Sequence, residues 1–367
     1  MSVPTLAGPG LLDRVVDARG GLRAAMVLRR LMGVVVVVHL WPDVRARETP
    51  VEHFHVPWWS WLPEPSADAY RLLLCVGVAC GLGMLAGVAS RLCTRTAFAV
   101  VTYLVLVDMT GFAHNRGYLV WLLFGLSLLP AEPRGPHAED TGFLWPVLLL
   151  RVVASCVYLT SGLTKLANPD WRSGLVLWDR VVRYQGSIPF GGGMHDLLTS
   201  RAFHRALAPS AIAAELFIGL GLWSRRTRLV AIWVAIVFHT SIELTASVQT
   251  FSYSAIIALL WWATPSERDR TVTASPQLQR MVGRLDWLHR FTPGGPGAPG
   301  APTTLVERDG TLRQGRDATL TTLSRLPLLF PFVAPALAVH RLRRQRRATA
   351  APHPSSSSSG PAIRKPS

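Results

Sequence analysis

The stretch LWPVLLLRVVASCVYLTSGLTKLANPDWRSG, residues 144–174, joins a long apolar run to an abrupt polar stop. The run ends at Lys165, and Asn168-Pro169 follows it. A helix needs about 20 mostly apolar residues to cross a hydrocarbon core roughly 30 Å thick, and a proline cannot continue a helix from its interior. The stretch therefore predicts a membrane-spanning helix with a lysine close to its end.

Apolar blocks of this kind recur along the whole chain, which has 367 residues, 49% of them apolar. Eight segments can be drawn, at residues 24–41, 70–89, 96–113, 117–130, 144–165, 208–223, 228–246 and 249–264. They predict an all-α fold, a polytopic integral membrane helical bundle of about eight transmembrane helices. Segments 24–41 and 117–130 are marginal, because Arg29 and Arg30 shorten the first and the other is short. Either segment could be re-entrant instead of spanning.

The last hundred residues differ in composition from the rest. Residues 266–367 carry 16 Lys and Arg against 6 Asp and Glu, whereas the net charge of the whole chain is +16. Stretches such as TPGGPGAPGAPTT and PHPSSSSSGP are typical of flexible linkers. The sequence predicts a transmembrane domain at 20–265 and a disordered, Pro/Gly/Ser/Arg-rich cytoplasmic tail at 266–367, in which the short apolar segment 326–339 is interfacial.

The arginines near the segment ends predict the orientation of the bundle. They cluster before segment 24–41, between the second and third segments, between the sixth and seventh, and after residue 340. All four groups fall on one side if both termini are cytoplasmic, as the positive-inside rule requires. We therefore expect a multi-pass protein of the cell membrane. A basic tail beside membrane helices favours contact with anionic membrane lipid, and nucleic acid is not expected as a partner.

Ionisable residues inside membrane segments are costly and mark candidate functional positions. The candidates are Asp108, His114, Lys165, Glu215, His239 and Glu243. All but Glu215 map to the outer half of the bundle, which suggests one pocket open to the outside. His239 and Glu243 share a helix face at spacing i, i+4. They form either an intrahelical pair in a polar core or a substrate-contacting pair, and no metal site is expected from two such residues. Asp108 alternatively reaches water at a helix end.

Lys165 is the most informative of these positions. Only Lys165 and Lys365 are lysines among the 38 basic residues. Arginine keeps its proton at any useful pH, whereas a desolvated lysine can become a neutral amine. Lys165 is therefore either a base for proton transfer or an anchor that extends from a helix end to the membrane interface.

The string YLTSGLTKLANPDWRSG, residues 158–174, resembles the signature of the HTTM (horizontally transferred transmembrane) domain, which vitamin K-dependent gamma-carboxylases and many bacterial membrane proteins share. Three further stretches fit the same family in the same order. They are HNRGYLVWLLFGLSLLP, AELFIGLGLWSRRTR with Glu215, and FHTSIELTASVQTFSYS. The resemblance covers roughly residues 20–265.

The resemblance implies a quinol chemistry for the lysine. In the carboxylases, a lysine at the place of Lys165 is held to be the base that deprotonates vitamin K hydroquinone, so the implied cofactor is vitamin K or a menaquinone-type quinol. Carboxylases typically carry an asparagine-histidine pair, whereas this chain has His114 before Asn115. They also carry a large extracytoplasmic domain, whereas residues 266–367 of this chain are predicted to be a cytoplasmic tail. Peptide carboxylation in the known manner is therefore not expected here.

Three functions remain open from the sequence. The first is a quinol-linked membrane enzyme, carboxylase-like in its use of Lys165 as catalytic base, with Asp108, His114, Asn115, Glu215, His239 and Glu243 as pocket residues. The second is a non-catalytic accessory protein for maturation or export of a small secreted peptide, which would dock on the outer loops 42–69 and 166–207. The third is a transporter. This function is less favoured, because the sequence shows no evident internal repeat and no paired broken helices of the kind that mark many transporters.

Overall fold

A computed structural model describes residues 11–46, 56–109, 114–132, 141–183, 195–246, 250–264, 268–297 and 300–350. The chain divides into two compact units. The first, the membrane unit, comprises Met1–Arg268 and Asp286–Arg290. The second, the C-terminal unit, comprises Asp269–Leu285 and Phe291–Ser367.

Each of the eight predicted apolar segments forms helix in the membrane unit. The matching helices are α2 (Arg23–Arg45), α3 (Ala67–Ala86), α4 (Ser90–Val107), α5 (His114–Ser127), α6 (Trp145–Ala167), α10 (Arg201–Gly221), α11 (Arg228–Ala246) and α12 (Phe251–Ala258), which a 3-10 turn at Leu259–Ala263 extends. The predicted all-α membrane bundle is thus confirmed, and its number of spans stays a prediction. Among the described residues, five helices are long and apolar enough to cross a membrane: α2, α3, α4, α6 and α11.

Short elements connect these helices. They are α1 (Leu11–Val16), the antiparallel strands β1 (Arg19–Gly21) and β2 (Thr141–Phe143), and the helices α7 (Pro169–Arg172), α8 (Leu175–Arg183) and α9 (His195–Thr199). Helices α7, α8 and α9 fall in the predicted outer loop 166–207. Residues 47–55 of the other predicted outer loop, 42–69, lie outside the described residues. Its last part carries Trp59 stacked on Trp61, with ring centroids 5.5 Å apart.

Side-chain exposure fits a bundle whose outside faces hydrocarbon. Large apolar side chains project outward from several helices, among them Leu72, Leu82, Leu92 and Leu220, each more than half exposed. Between the helices, Met32, Leu74, Leu122 and other apolar residues are fully buried. Lipid solvates apolar side chains as well as a core does, so helix association depends on close packing and polar contacts.

Close packing is clearest where α2 meets α3. A Cβ at Gly33 would lie 2.4 Å from the carbonyl oxygen of Gly81, and one at Gly77 would lie 2.4 Å from Cδ1 of Leu40. Only a hydrogen side chain fits at such distances, so the glycines let the two backbones approach each other.

Buried arginines close the helix ends at one side of the bundle. Arg29, which is fully buried near the start of α2, donates to the carbonyl oxygens of Leu126, Leu129 and Pro130 at 3.0, 3.2 and 2.8 Å. Leu126 lies in the last turn of α5 and Leu129 and Pro130 follow its end, where carbonyl groups lack the partners that a continuing helix would supply. Arg151, near the start of α6, donates in the same way to the carbonyls of Trp261 and Thr264 after the last helix.

The C-terminal unit differs from the predicted disordered tail. Its sheet has the order β4-β3-β5-β6, with β3 (Arg270–Ala274), β4 (Phe291–Pro296), β5 (Thr304–Val306) and β6 (Leu312–Gln314). Strand β3 pairs parallel to β4 and antiparallel to β5, and β5 pairs antiparallel to β6. Helices α13 (Pro276–Leu285), α14 (Gly315–Leu323) and α15 (Phe330–Ala350) complete the unit. The apolar segment predicted at 326–339 therefore continues into a longer helix.

The C-terminal unit folds around a small apolar core. Val272, Leu278, Leu305, Ala318 and Leu326 are buried together. They come from segments of three to ten residues, and so short a pattern is hard to separate from loop by periodicity. The stretch FTPGGP, predicted as linker, instead forms the edge strand β4, a position that tolerates proline because an edge strand leaves some donors unpaired. Residues 351–367 lie outside the described residues.

Candidate functional site

Four positions of the α6 stretch point into the membrane unit from one helix face. Tyr158, Ser161, Gly162 and Lys165 are spaced three, one and three residues apart, which places them on adjacent turns of the same side. This face packs against α10 and lies beside α11. The helix continues past Lys165 to Ala167, so the lysine lies within its last turn.

Lys165 is bound to Glu215 of α10. The ammonium Nζ lies 2.5 Å from Glu215 Oε1, and the hydroxyl of Ser161 donates to the same oxygen at 3.0 Å. The side chain of Lys165 is 17% exposed and that of Glu215 is 6% exposed. The other carboxylate oxygen, Oε2, is buried and has no hydrogen-bond partner among the described residues. Lys165 is therefore oriented into the unit and does not reach outward as an interfacial anchor.

Gly162 makes the approach of α10 possible. A Cβ at this position would lie 2.8 Å from Leu216 Cδ2 and 3.4 Å from the Cβ of Glu215. The glycine stands one turn before Lys165, so it lets Glu215 come within reach of the lysine. Gly162 and Lys165, both residues of the signature, thus contribute to the same contact between α6 and α10.

The end of α6 is shaped to cover the lysine. Asn168 ends the helix, and its side-chain oxygen accepts from the backbone N–H groups of Asp170 at 2.8 Å and Trp171 at 3.4 Å. This N-cap starts the short helix α7, which holds the ring of Trp171 4.6 Å from Lys165 Nζ. Gly174 then turns the chain with φ +76°, at a point where a Cβ would lie 2.4 Å from the backbone of His204. Trp171 thus places a cation–π contact over the amine.

A second polar pair lies about two turns before Lys165 along α6. The hydroxyl of Tyr158 and Nε2 of His239 are 2.6 Å apart, and both side chains are buried. The imidazole ring also makes edge contacts with Phe238 and Phe251. Its other nitrogen, Nδ1, is buried without a partner among the described residues. The two pairs together present two unpartnered buried atoms, Glu215 Oε2 and His239 Nδ1.

The residues of this site belong to a segment that is shared with a known protein family. The family model of the HTTM domain matches residues 22–266. The chain belongs to the HTTM family. Searches of curated proteins and of solved structures found no match. Together with the five long apolar helices, the family shows a multi-pass membrane protein of the HTTM class.

Several of the predicted pocket residues have no described contact with Lys165. Glu243 lies near the hydroxyl of Tyr253, one turn beyond His239 on α11, and its Oε2 is buried without a hydrogen-bond partner among the described residues. Asp108 follows the end of α4 and lies electrostatically close to Tyr70, as do Asp43 and Arg116. The side chains of His114 and Asn115, which begin α5, lie outside the described residues.

Sequence reasoning singled out Lys165, Glu215 and His239 but did not name the residues that contact them. Tyr158, Ser161 and Trp171 were recognised as parts of a signature, not as partners. For Tyr158 and Ser161 the signal was available in their spacing from Lys165, because residues four and seven positions apart share a helix face. Trp171 lies beyond the end of α6, so helical spacing does not reveal it. Across the described parts of the chain, no three His, Cys, Asp or Glu side chains are grouped so that they could hold a metal ion.

Proposed function

We propose that this HTTM protein is a membrane enzyme that removes a proton from a hydroxyl group of a lipid-soluble quinol, with the Lys165–Glu215 pair as the proton-handling group. The observation that supports the proposal is the 2.5 Å contact between Lys165 Nζ and Glu215 Oε1 in a nearly buried site. A charged pair taken out of water is costly unless further hydrogen bonds compensate it, and the hydroxyl of Ser161 supplies one such bond to Glu215 Oε1.

The residues present fit a hydroxyl-bearing ligand. Glu215 Oε2 and His239 Nδ1 are buried atoms without a hydrogen-bond partner among the described residues. The carboxylate oxygen can accept a hydrogen bond, and Nδ1 accepts or donates according to the tautomer of the imidazole. A bound quinol of the vitamin K or menaquinone type would supply the acidic hydroxyl and two electrons, and dissolved oxygen would be the oxidant that accepts those electrons. Lys165 would receive the proton of that hydroxyl, while Glu215 takes up the proton that the ammonium must first release. Ser161 holds the carboxylate in place, and Trp171 shields the amine from water.

Tyr158 and His239 have a supporting role in this proposal. The hydrogen bond between the tyrosine hydroxyl and Nε2 fixes the imidazole ring. When the tyrosine donates, Nδ1 of a neutral imidazole carries the hydrogen, and when it accepts, Nδ1 is free to accept in turn. Either arrangement orients a polar group of the substrate, and the choice depends on the hydroxyl that the substrate presents.

The test is quinol oxidation by the full-length protein in nanodiscs loaded with a menaquinol, followed by ultraviolet absorbance and oxygen uptake. Lys165→Arg keeps the positive charge but cannot release its proton. We expect a loss of about 10²-fold or more, the range typical of a removed general base. Glu215→Gln should lower the rate as well, because the neutral amide cannot take up the proton.

The matched control is Lys365→Arg, the same substitution at the other lysine of the chain, which should leave the rate unchanged. Size-exclusion profiles and thermal denaturation check that Lys165→Arg is still folded. A folded Lys165→Arg protein with full activity would contradict the proposal. If changes in loop 166–207 then abolished the biological function, an accessory role toward a secreted peptide would be the better description.

A further inference from the structure

The C-terminal unit holds α15 by one face only. Leu337 is buried, and Arg341 donates to Asp317 Oδ1 at 3.2 Å and to Thr321 Oγ1 at 2.9 Å. These contacts fix α15 on α14. The opposite face of the helix is exposed, although it carries large apolar side chains.

The exposed face of α15 changes from apolar to basic along its length. Phe332, Pro335, Ala336 and Val339 follow the i, i+3, i+4, i+7 spacing of one helix stripe. Phe332 is 78% exposed and Val339 is 47% exposed. The same stripe continues through Arg343, and His340 and Arg344 lie beside it. From Phe332 to Arg344 the helix rises about 18 Å, so an apolar zone and a basic zone lie side by side.

A groove lies where the two zones meet. Its volume is about 510 Å³, and its walls are Pro335, Ala336 and Val339 on the apolar side and Arg316, Arg343 and Arg344 on the basic side. The groove lies between the start of α14 and the middle of α15. It therefore joins cationic side chains from two helices to an apolar floor.

Among the residues that the structure describes in this unit, no carboxylate is paired with an arginine of the groove. In the same unit, Asp317 is paired with Arg313 and Arg341, and Glu307 is paired with Arg270 and Arg313. Within the described part of the unit, no ion pair involves Arg316, Arg343 or Arg344. The acidic residues are thus used for folding, and the basic groove is left for an external anion.

We propose that this groove binds an anionic phospholipid of the membrane in which the HTTM domain is embedded. Arg316, Arg343 and Arg344 would bind the phosphate of the headgroup, and Phe332, Pro335, Ala336 and Val339 would contact its acyl chains. Arginine guanidinium groups match phosphate geometry, and basic residues close to an anionic membrane surface are attracted to it. An apolar wall next to the phosphate site favours a lipid over nucleic acid, which offers no acyl chain.

The experiment is hydrogen–deuterium exchange of the full-length protein in nanodiscs of phosphatidylcholine with or without phosphatidylglycerol. We expect backbone exchange in peptides from residues 330–346 to slow at least fivefold in the anionic nanodiscs. The triple variant Arg316→Gln, Arg343→Gln and Arg344→Gln should lose this protection. A matched variant, Arg280→Gln, Arg284→Gln and Arg308→Gln, removes the same charge from exposed arginines elsewhere in the unit and should keep it.

Several outcomes would overturn the proposal. Equal exchange in both nanodiscs would show that no anionic lipid is bound, and equal loss in both triple variants would show general attraction without a site. Protection by soluble glycerol 3-phosphate in pure phosphatidylcholine nanodiscs would identify a free phosphate compound as the ligand. Protection by a short DNA duplex under those conditions would identify nucleic acid instead.

Discussion

At the scale of single residues, the preference for arginine has a structural cause that charge alone does not reveal. Arg29, Arg151 and Arg228 each donate to backbone carbonyls at the ends of helices. A guanidinium group has five donors in a planar fork, so it can serve two or three carbonyls at once. Lysine cannot, and the lysine in the membrane unit instead meets one carboxylate. The rarity of lysine therefore reflects capping as well as proton chemistry.

Arg29→Lys tests this role because it keeps the charge and removes the fork. The amine can satisfy fewer of the carbonyls of Leu126, Leu129 and Pro130, and an unsatisfied buried polar group costs about 1–3 kcal/mol. We expect thermal unfolding in nanodiscs to occur at a clearly lower temperature. Arg30→Lys is the matched control, since Arg30 is 45% exposed and pairs with Glu132. Lysine can keep the ion pair with Glu132, so we expect a smaller change in unfolding temperature than for Arg29→Lys. Equal effects of both substitutions would contradict the capping role.

The sequence predicted a shared pocket for the polar residues but could not pair them. Lys165, Glu215 and His239 were predicted to share a pocket, and the structure brings Lys165 to Glu215 and His239 to Tyr158. The pairing depends on how far α10 approaches α6, which Gly162 decides through contacts with residues fifty positions away. Such long-range packing is not encoded in any local pattern, so it could not be read from the signature.

At the scale of helices and strands, length determined what could be predicted. Helices of about 20 apolar residues were located from the sequence, most of them with ends within four residues of the predicted ones. The largest differences are in α10, which begins seven residues before the predicted start at 208, and in α4, which begins six residues before the predicted start at 96. The strands of the C-terminal unit are three to six residues long and were missed. A short strand gains its stability from its neighbours in the sheet, and those neighbours are distant in sequence.

The packing of α2 on α3 gives a prediction at this scale. Gly33→Ala places a Cβ 2.4 Å from a backbone oxygen that cannot rotate away. Overpacking of this kind costs about 1–3 kcal/mol, so we expect a lower unfolding temperature in nanodiscs. Gly283→Ala in α13 is the opposite case, because nothing lies within 4 Å of its added Cβ. There alanine should stabilise the helix by about 0.5–1 kcal/mol. An unchanged unfolding temperature of the Gly33→Ala variant would contradict the close approach of α2 and α3 at this position.

At the scale of the whole molecule, two units of one chain are stabilised by different means. The membrane unit depends on close packing in hydrocarbon, with few ion pairs. The C-terminal unit combines a small apolar core with an ion-pair network in which Glu307 and Asp317 each receive two arginines. Helical periodicity revealed the first unit, whereas the charge pairs of the second unit arise only when its strands assemble.

This difference predicts that acid unfolds the C-terminal unit selectively. Burial raises the pKa of Glu307 and of Asp317, but hydrogen bonds from Arg313, Arg270 and Arg341 outweigh it and hold both pKa values below their usual 4.5 and 3.8. A lowered pKa in the folded state means that the stabilisation is complete above the ordinary value and is lost as the pH falls through the lower one. Between about pH 6 and about pH 3, hydrogen exchange corrected for its intrinsic pH dependence should accelerate in residues 304–324 and not in residues 147–165. Glu307→Gln should weaken this pH dependence, because the amide carries no charge to lose. An acceleration shared equally by both regions would show that acid acts on the whole protein and not through these carboxylates.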